Sequence, residues 1–167
     1  TKQIDFAARS CAYSLKKGGK LIFCGNGGSA GDSQHLAAEL IGRLKNNRKA
    51  LSAISLTVDS SALTCIGNDF GFDFIFSRQL EGLGKSGDIL IAISTSGKSQ
   101  NIINAVNTSK KLGIESIALL GKNGGKVISI CNQPILVPSQ ETGRIQEMHI
   151  LIGHILCGLI ENILGVE

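Results

Sequence analysis

The chain has 167 residues, 43% of them hydrophobic and 18% charged, and a formal net charge of +4, which fits one globular domain with a sizeable core. No run approaches the ~18 apolar residues of a membrane span, and 4% aromatic residues give no stacking surface for nucleic acid, so we expect neither partner. Five cysteines, an odd number with no Cys-x-x-Cys pair, favour a reduced, cytoplasmic protein.

Helices and strands alternate through the first half of the chain. The pattern begins in the middle of an amphipathic helix, so we expect a helical segment to precede Thr1 in the native protein. The basic segment 43–49 is interpreted as the solvated end of the second helix. The predicted elements are a helix over 4–17, a strand over 21–24, a helix over 30–44, a strand over 53–58, a helix over 61–66 capped by Asp59 or Ser60, and a helix over 72–83.

The second half continues the alternation. It predicts a strand over 89–93, a helix over 101–112, strands over 116–120 and 135–137, and a closing helix over 142–164. Short, fully apolar strands between helices are typical of a parallel sheet covered on both faces, with its ligand at the carboxyl ends of the strands. We therefore predict an α/β fold: a single doubly wound, flavodoxin-like domain with a central parallel sheet flanked by helices.

Two loops rich in glycine and serine follow predicted strands directly. The first has the sequence GNGGSA over 25–30, and the second has STSGKS over 94–99. Backbone N–H groups and hydroxyls at the start of a helix form a site for an anion, most often a phosphate. The pair of loops predicts a phosphorylated ligand that is held at two points.

Other interpretations of these loops are weaker. The first loop satisfies the loose dinucleotide pattern G-x-G-x-x-A, but Asp59, the first acid after the second strand, comes too late to hold a ribose. The second loop resembles the end of a Walker A motif, but Ala92 stands where that motif needs a glycine. Ordinary tight turns would explain one glycine in each loop but not the run of hydroxyl side chains.

Several polar residues could carry chemistry. His35 and Glu39 are four apart on a predicted helix, a spacing that suits either a divalent metal or a plain surface ion pair. In the closing helix, His154 is either a core histidine or a site residue, with the missing side chain of Gly153 leaving room for a ligand. Asn68 and Asp69 lie either in a simple turn or where they could hold the hydroxyls of a sugar.

Five segments together resemble the SIS (sugar isomerase) domain family, and the resemblance extends from residue 18 through the closing helix as one domain over 1–167. In order and spacing the set is highly specific. The segments are CGNGGSA over 24–30, QHLAAEL over 34–40, GNDFGF over 67–72, ISTSGKS over 93–99 and RIQEMHILIGH over 144–154.

Within that family, the resemblance implies an isomerase that converts sedoheptulose 7-phosphate to D-glycero-D-manno-heptose 7-phosphate through an enediol, the first step of ADP-heptose biosynthesis. Glu39 and His154 match the acid/base pair. The residues implied to bind the phosphate are Ser94, Thr95, Ser96 and Ser99. Those implied to bind the sugar are Asn26, Gly27, Gly28, Ser29, Glu39, Asn68, Asp69 and Gln146. Those implied to bind one Zn²⁺ per subunit are His35, Glu39, Gln146 and His154.

The resemblance also implies a cytoplasmic homotetramer. Gln146 and His154 lie about 12 Å apart along an ideal helix, so a site shared between subunits is expected. Gly143 departs from the pattern, because some relatives carry an acid there. Two alternatives are a non-catalytic relative such as the regulator that binds the replication initiator DnaA, which lacks the Glu/His pair, and a sugar-phosphate sensor that needs no metal.

Overall fold

The computed structural model describes residues 2–45 and 47–166. Its helices are α1 Lys2–Lys16, α2 Gly28–Ile41, α3 Ser60–Asp69, α4 Ser77–Leu83, α5 Gln100–Lys111 and α6 Thr142–Leu164. Its strands are β1 Leu21–Gly25, β2 Ala53–Ser55, β3 Ile89–Ser94, β4 Glu115–Gly121 and β5 Gln133–Val137. Short 3-10 turns lie at Phe72–Phe74 and Val127–Ser129.

The five strands form one parallel sheet in the order β2-β1-β3-β4-β5. Leu21 pairs with Ile89 and Gly25 with Ile93, so β1 and β3 end side by side. This is the flavodoxin-like order, in which ligands bind where the strand order reverses, between β1 and β3. The predicted fold class is confirmed, and the two glycine- and serine-rich loops follow these two strands.

Apolar cores cover both faces of the sheet. One contains residues of α1, α2 and α6, and the other contains residues of α4 and α5. By length and composition α6 could cross a membrane, with a mean hydropathy of 1.4 over 18 residues. It nevertheless buries Ile145, Ile152 and Leu156 against the sheet, as the core helix of a globular domain does.

Cysteines contribute to both cores, and all five are unpaired. Cys11, Cys24 and Cys157 are buried, and burial raises the pKa of Cys24 and of Cys157 to about 12. The buried thiols therefore stay protonated and pack as small apolar groups.

The structure differs from the predicted elements at a few boundaries. α2 ends at Ile41 rather than at residue 44, and β2 covers only three residues. The predicted helix 72–83 is divided into a 3-10 turn and α4. The segment with Asn68 and Asp69 is the last turn of α3 rather than a free turn, because the chain reverses only at Gly71, where φ is +95°. The predicted Asp59 cap is confirmed, since its Oδ1 accepts the N–H of Ala62 at 2.9 Å.

Candidate active site

The first loop joins β1 to α2 and is tied to the second loop. Gly27 has a φ of +57°, a conformation that glycine adopts without strain, and α2 begins at the next residue. The amide of Asn26 exchanges two hydrogen bonds of 2.9 Å with the amide of Asn101 in α5. The side chain of Asn26, which the resemblance assigns to the sugar, therefore also connects the starts of α2 and α5.

The second loop is shaped by its own hydroxyls. Ser94 Oγ accepts the N–H of Gly97 at 3.0 Å, and Ser96 Oγ accepts that of Lys98 at 3.2 Å. Gly97 has a φ of +63° and lies so close to the Gly124 carbonyl that any side chain would overlap it. Within the described residues, Ser99 begins α5 without a side-chain cap hydrogen bond. Its hydroxyl is therefore available to a ligand.

A small cavity lies between the two loops. Its volume is about 60 Å³, which at 10–15 Å³ per water corresponds to roughly four to six waters, close to one phosphate group. It opens at the starts of α2 and α5, so both helix dipoles favour an anion there. A larger, mostly apolar cavity of about 200 Å³ adjoins it at Asn26. The residues that line the small cavity are Asn26, Ser29, Ile93, Ser94, Thr95, Ser96 and Ser99.

His35, Glu39 and His154 form a second polar cluster farther along α2. Their potential ligand atoms all lie within 4.8 Å of one another. The Nε2 atoms of the two histidines are 2.9 Å apart, and His35 Nε2 is 3.3 Å from Glu39 Oε1. Two imidazoles and a carboxylate are donors that zinc takes in catalytic sites, where a fourth position stays open. The half-exposed His35 leaves such an opening, so the residues present fit a zinc ion.

Asp32 is a residue of this cluster that the sequence analysis missed. It lies one turn before His35 on α2, and its Oδ2 is buried without a hydrogen-bond partner among the described residues. Burial raises the pKa of this carboxyl, whereas the nearby His35 and His154 act in the opposite direction. The signal was present in the spacing, because Asp32, His35 and Glu39 share one helix face.

Gln146, the fourth predicted metal ligand, has different contacts. Its amide lies against Gly28, at the first turn of α2, where any side chain on residue 28 would overlap it. Two helical turns separate Gln146 from His154. The structure thus brings together three of the four predicted ligands, all from one chain, and places Gln146 beside the first loop.

The expectation that Gly153 leaves room for a ligand is wrong. A methyl group at this position would lie 2.5 Å from Cδ1 of Leu36, so the gap is filled by a neighbouring helix.

His149 is the fully buried core histidine of α6, and neither of its ring nitrogens makes a hydrogen bond within the described chain. Asn68 and Asp69 are exposed, and their side chains bond to each other at 2.7 Å.

Helices α2 and α6 run side by side in the same direction. Gly28 meets Gln146 near their starts, Leu36 meets Gly153 at the middle, and His35 faces His154. His35 is seven residues after Gly28, or about 10 Å at 1.5 Å per residue. A phosphate at the loops and a reacting carbon at the His/Glu/His cluster would be joined by an extended sugar chain of about that length.

Comparison with known proteins shows the family of this chain. The profile of the SIS domain family matches residues 1–121. The phosphoheptose isomerase of Nitratiruptor sp. is 58% identical over 152 residues, which are 91% of this chain and 81% of that protein. The phosphoheptose isomerase of Campylobacter jejuni serotype O:6 is 55% identical over 160 residues, 96% of this chain and 86% of that protein.

Solved structures are similar to this chain as well. The phosphoheptose isomerase of Neisseria gonorrhoeae is 45% identical with a TM-score of 0.91, and the match covers 97% of this chain and 86% of that one. The enzyme of Francisella tularensis is 40% identical with a TM-score of 0.94, over 96% of this chain and 86% of that one.

Proposed function

Since the chain belongs to the SIS domain family and, within it, to the phosphoheptose isomerases, we propose that it interconverts sedoheptulose 7-phosphate and D-glycero-D-manno-heptose 7-phosphate. It is an aldose–ketose isomerase. The observation that carries this function is the placement of a phosphate-sized cavity and a His/Glu/His cluster at two points along α2, about 10 Å apart at 1.5 Å per residue.

The reaction moves a proton between C1 and C2 of the sugar through an enediol, so it requires a base at carbon and an acid at the carbonyl oxygen. In the direction of the aldose, Glu39 takes the proton from C1 and His154 gives a proton to the oxygen on C2. Return of a proton to C2, with loss of the proton from the oxygen on C1, completes the aldose. Oε1 of Glu39 faces His35, so the other carboxylate oxygen of Glu39 is left to accept the proton from C1.

One Zn²⁺ per subunit would be held by His35, Glu39 and His154. Gln146 is the proposed fourth ligand, and since in one chain it lies beside Gly28, away from this cluster, we propose that a second copy of the chain supplies it. When bound, zinc supplies Lewis-acid polarisation of the substrate carbonyl. The observation that supports zinc is the convergence of two imidazole nitrogens and a carboxylate oxygen within 4.8 Å.

The substrate phosphate would bind to the second loop, where hydroxyls surround the small cavity. The residues proposed for the phosphate are Ser94, Thr95, Ser96 and Ser99. The residues proposed for the sugar are Asn26, Gly27, Gly28, Ser29, Glu39, Asn68, Asp69 and Gln146.

We also propose a cytoplasmic homotetramer whose product enters lipopolysaccharide biosynthesis, with sites shared between subunits. Three apolar side chains of α6, Met148, Leu151 and Ile155, are 41–49% exposed in one stripe beside His154. Asn68 and Asp69 face outward from the end of α3. We therefore propose that Asn68 and Asp69 contact the sugar that is bound to a second copy of the chain.

A non-catalytic SIS protein such as the DnaA-binding regulator is the second candidate, and a sugar-phosphate sensor is the third. Neither needs an acid/base pair. The presence of Glu39 beside His154 in the cluster favours the enzyme.

Incubation of the protein with sedoheptulose 7-phosphate tests the function. NMR should detect the aldose product, and turnover in D₂O should place deuterium at C2 of the aldose. Glu39→Gln keeps the size of the side chain but is a far weaker base, so turnover should fall by at least about 10²-fold. His154→Gln should act in the same way, and His35→Ala should lose bound zinc.

Sedoheptulose without its phosphate is the matched substrate control, and it should react poorly because the second loop has no anion to hold. Binding of the phosphorylated sugar without formation of the aldose would favour the sensor. Near-normal turnover by Glu39→Gln would show that the acid/base assignment is wrong.

A further inference from the structure

A buried ion pair joins the segment that follows α2 to α6, near the end of α2 that lies beyond the His/Glu/His cluster. Arg48 Nε lies 2.5 Å from Glu161 Oε1, and only 2% and 6% of the two side chains are exposed. The segment 43–49 was predicted to be a solvated helix end, and for Arg48 this is wrong, because its side chain folds back under α2. Removal of two ions from water is costly, so the pair requires an explanation.

Arg48 also binds the last turn of α2 directly. Its Nη2 donates to the carbonyl of Glu39 and its Nη1 to that of Leu40, each at 2.8 Å. Carbonyls in the last turn of a helix have no partner within the helix, and a cation at that end is favoured by the helix dipole. The planar guanidinium thus holds the peptide group of Glu39 itself.

Glu161 connects this arrangement to the other helix of the cluster. It is seven residues after His154 on α6, which is two helical turns, so both side chains lie on the same helix face. Arg48 therefore contacts α2 at Glu39 and α6 at a residue in line with His154.

A buried ion pair is a weak source of stability, because well-packed apolar side chains often replace one without loss. Its directional contacts are better suited to fixing how two helices sit along their axes. We propose that Arg48 and Glu161 are positioning residues, which fix the axial register of α2 against α6 and thereby hold His35 and Glu39 opposite His154. The consequences for metal binding and turnover rest on the proposed function.

The test compares Glu161→Gln with a matched control in a second ion pair, whose carboxylate is equally buried. Asp88 pairs with Lys20 at 2.6 Å at the amino ends of β1 and β3, and neither residue belongs to α2, α6 or the cluster, so Asp88→Asn makes the same chemical change outside them. Arg48→Lys is a second variant, which keeps the charge but lacks the planar fork. For each folded variant we would measure urea unfolding, Zn²⁺ affinity by competition with a chromophoric chelator, and kcat and KM for the heptose phosphate.

The expected results distinguish an effect on the position of the two helices from an effect on the stability of the protein. Glu161→Gln and Asp88→Asn should both lower the urea midpoint, but only Glu161→Gln and Arg48→Lys should weaken Zn²⁺ binding, by at least about 10-fold. In the same two variants kcat should fall while KM changes little, because the second loop is untouched.

Side-chain ¹⁵N NMR of the metal-free protein gives a readout that does not depend on activity. The chain has three histidines, and the rings of His35 and His154 should lose their mutual contact in Glu161→Gln but not in Asp88→Asn. Unchanged ring spectra and unchanged Zn²⁺ affinity in folded Glu161→Gln would overturn the proposal, as would equal changes in Asp88→Asn. A wild-type protein without Zn²⁺ binding or turnover would instead contradict the proposed function, and the ring spectra would still test the register.

Discussion

Hydroxyl side chains distinguish the second loop from an ordinary turn between a strand and a helix. Ser94 and Ser96 each accept a backbone N–H within the loop, and Ser99 lies at the start of α5 with its hydroxyl not used as a cap. The sequence could predict an anion site at this loop because a tight turn needs a glycine but does not need the whole run of hydroxyl side chains.

Replacement of Ser96 and Ser99 by alanine should therefore weaken substrate binding more than stability. Each lost hydrogen bond to a charged group costs about 1.5–3 kcal/mol, so the apparent Kd for the heptose phosphate should rise by at least about two orders of magnitude. Titration calorimetry measures this change. Ser129→Ala is the control, because among the described residues its exposed hydroxyl bonds the Lys126 carbonyl alone. An unchanged affinity in the double variant would exclude the loop as the phosphate site.

His149 should make the folded protein sensitive to acid. Burial lowers the pKa of its imidazole, partly offset by the nearby Leu120 carbonyl, so the folded state resists protonation. Between the lowered folded pKa and 6.5 the unfolded chain binds more protons, and the free energy of unfolding falls as the pH falls, by about 1.4 kcal/mol per pH unit in that window. His149→Leu should flatten this dependence in urea unfolding at pH 5–7. The same slope in the variant as in the wild type would show that other groups cause the acid sensitivity.

At the scale of elements, the site depends on the close contact of α2 with α6. Gly153 permits this contact, because Leu36 occupies the space that its side chain would need. His35, Glu39 and His154 therefore lie on two helices that are packed into the core rather than on free loops. The distances between these side chains are therefore set by how the two helices pack.

Gly153→Ala should consequently destabilise the protein even though alanine is the better helix former. Overpacking costs about 1–3 kcal/mol, which exceeds the gain of about 1 kcal/mol in helix propensity. Gly158→Ala, five residues along the same helix, is the matched control, since its new methyl would lie at an ordinary 3.7 Å from Leu44. It should be neutral or stabilising in urea unfolding. Equal effects of the two substitutions would contradict the role assigned to the Gly153–Leu36 contact.

The elements show what could be predicted from sequence. Short apolar runs and the 3.6-residue helical period are local patterns, so the strands, the helices and the sheet type were predictable, as was the cap by Asp59. The contact of Gly153 with Leu36 and the burial of Arg48 could not be predicted, because each depends on which residue of another helix lies opposite. The helical period could have placed Asp32 on the same face as His35 and Glu39, but the burial of its Oδ2 is a tertiary property that no local pattern shows.

At the scale of the whole molecule, a large apolar surface is exposed. The stripe of Met148, Leu151 and Ile155 on α6 is accompanied by Phe6 and Tyr13 on α1, which are more than 60% exposed. Exposed apolar patches on a protein surface mark interaction sites, so these side chains are candidates for an interface. Self-association of the chain would cover them.

Light scattering should therefore find an oligomer, with a tetramer expected. Leu151→Glu would place a charge in the stripe and should lower the measured mass. Leu83→Glu is the control, because Leu83 is similarly exposed on α4, away from α6. An active monomer at micromolar concentration would contradict both the tetramer and the shared sites.

The parallel arrangement of α2 and α6 fixes the distance between the loop cavity and the His/Glu/His cluster. In the proposed reaction the phosphate binds in the loop cavity, and the proton transfer takes place at the cluster, roughly two helical turns away along α2. A sugar phosphate with fewer carbons would bind by its phosphate and hold its carbonyl short of Glu39. Selection among sugar phosphates would then depend on the number of carbons that the helix spans, and short phosphosugars would occupy the site as inhibitors without turning over.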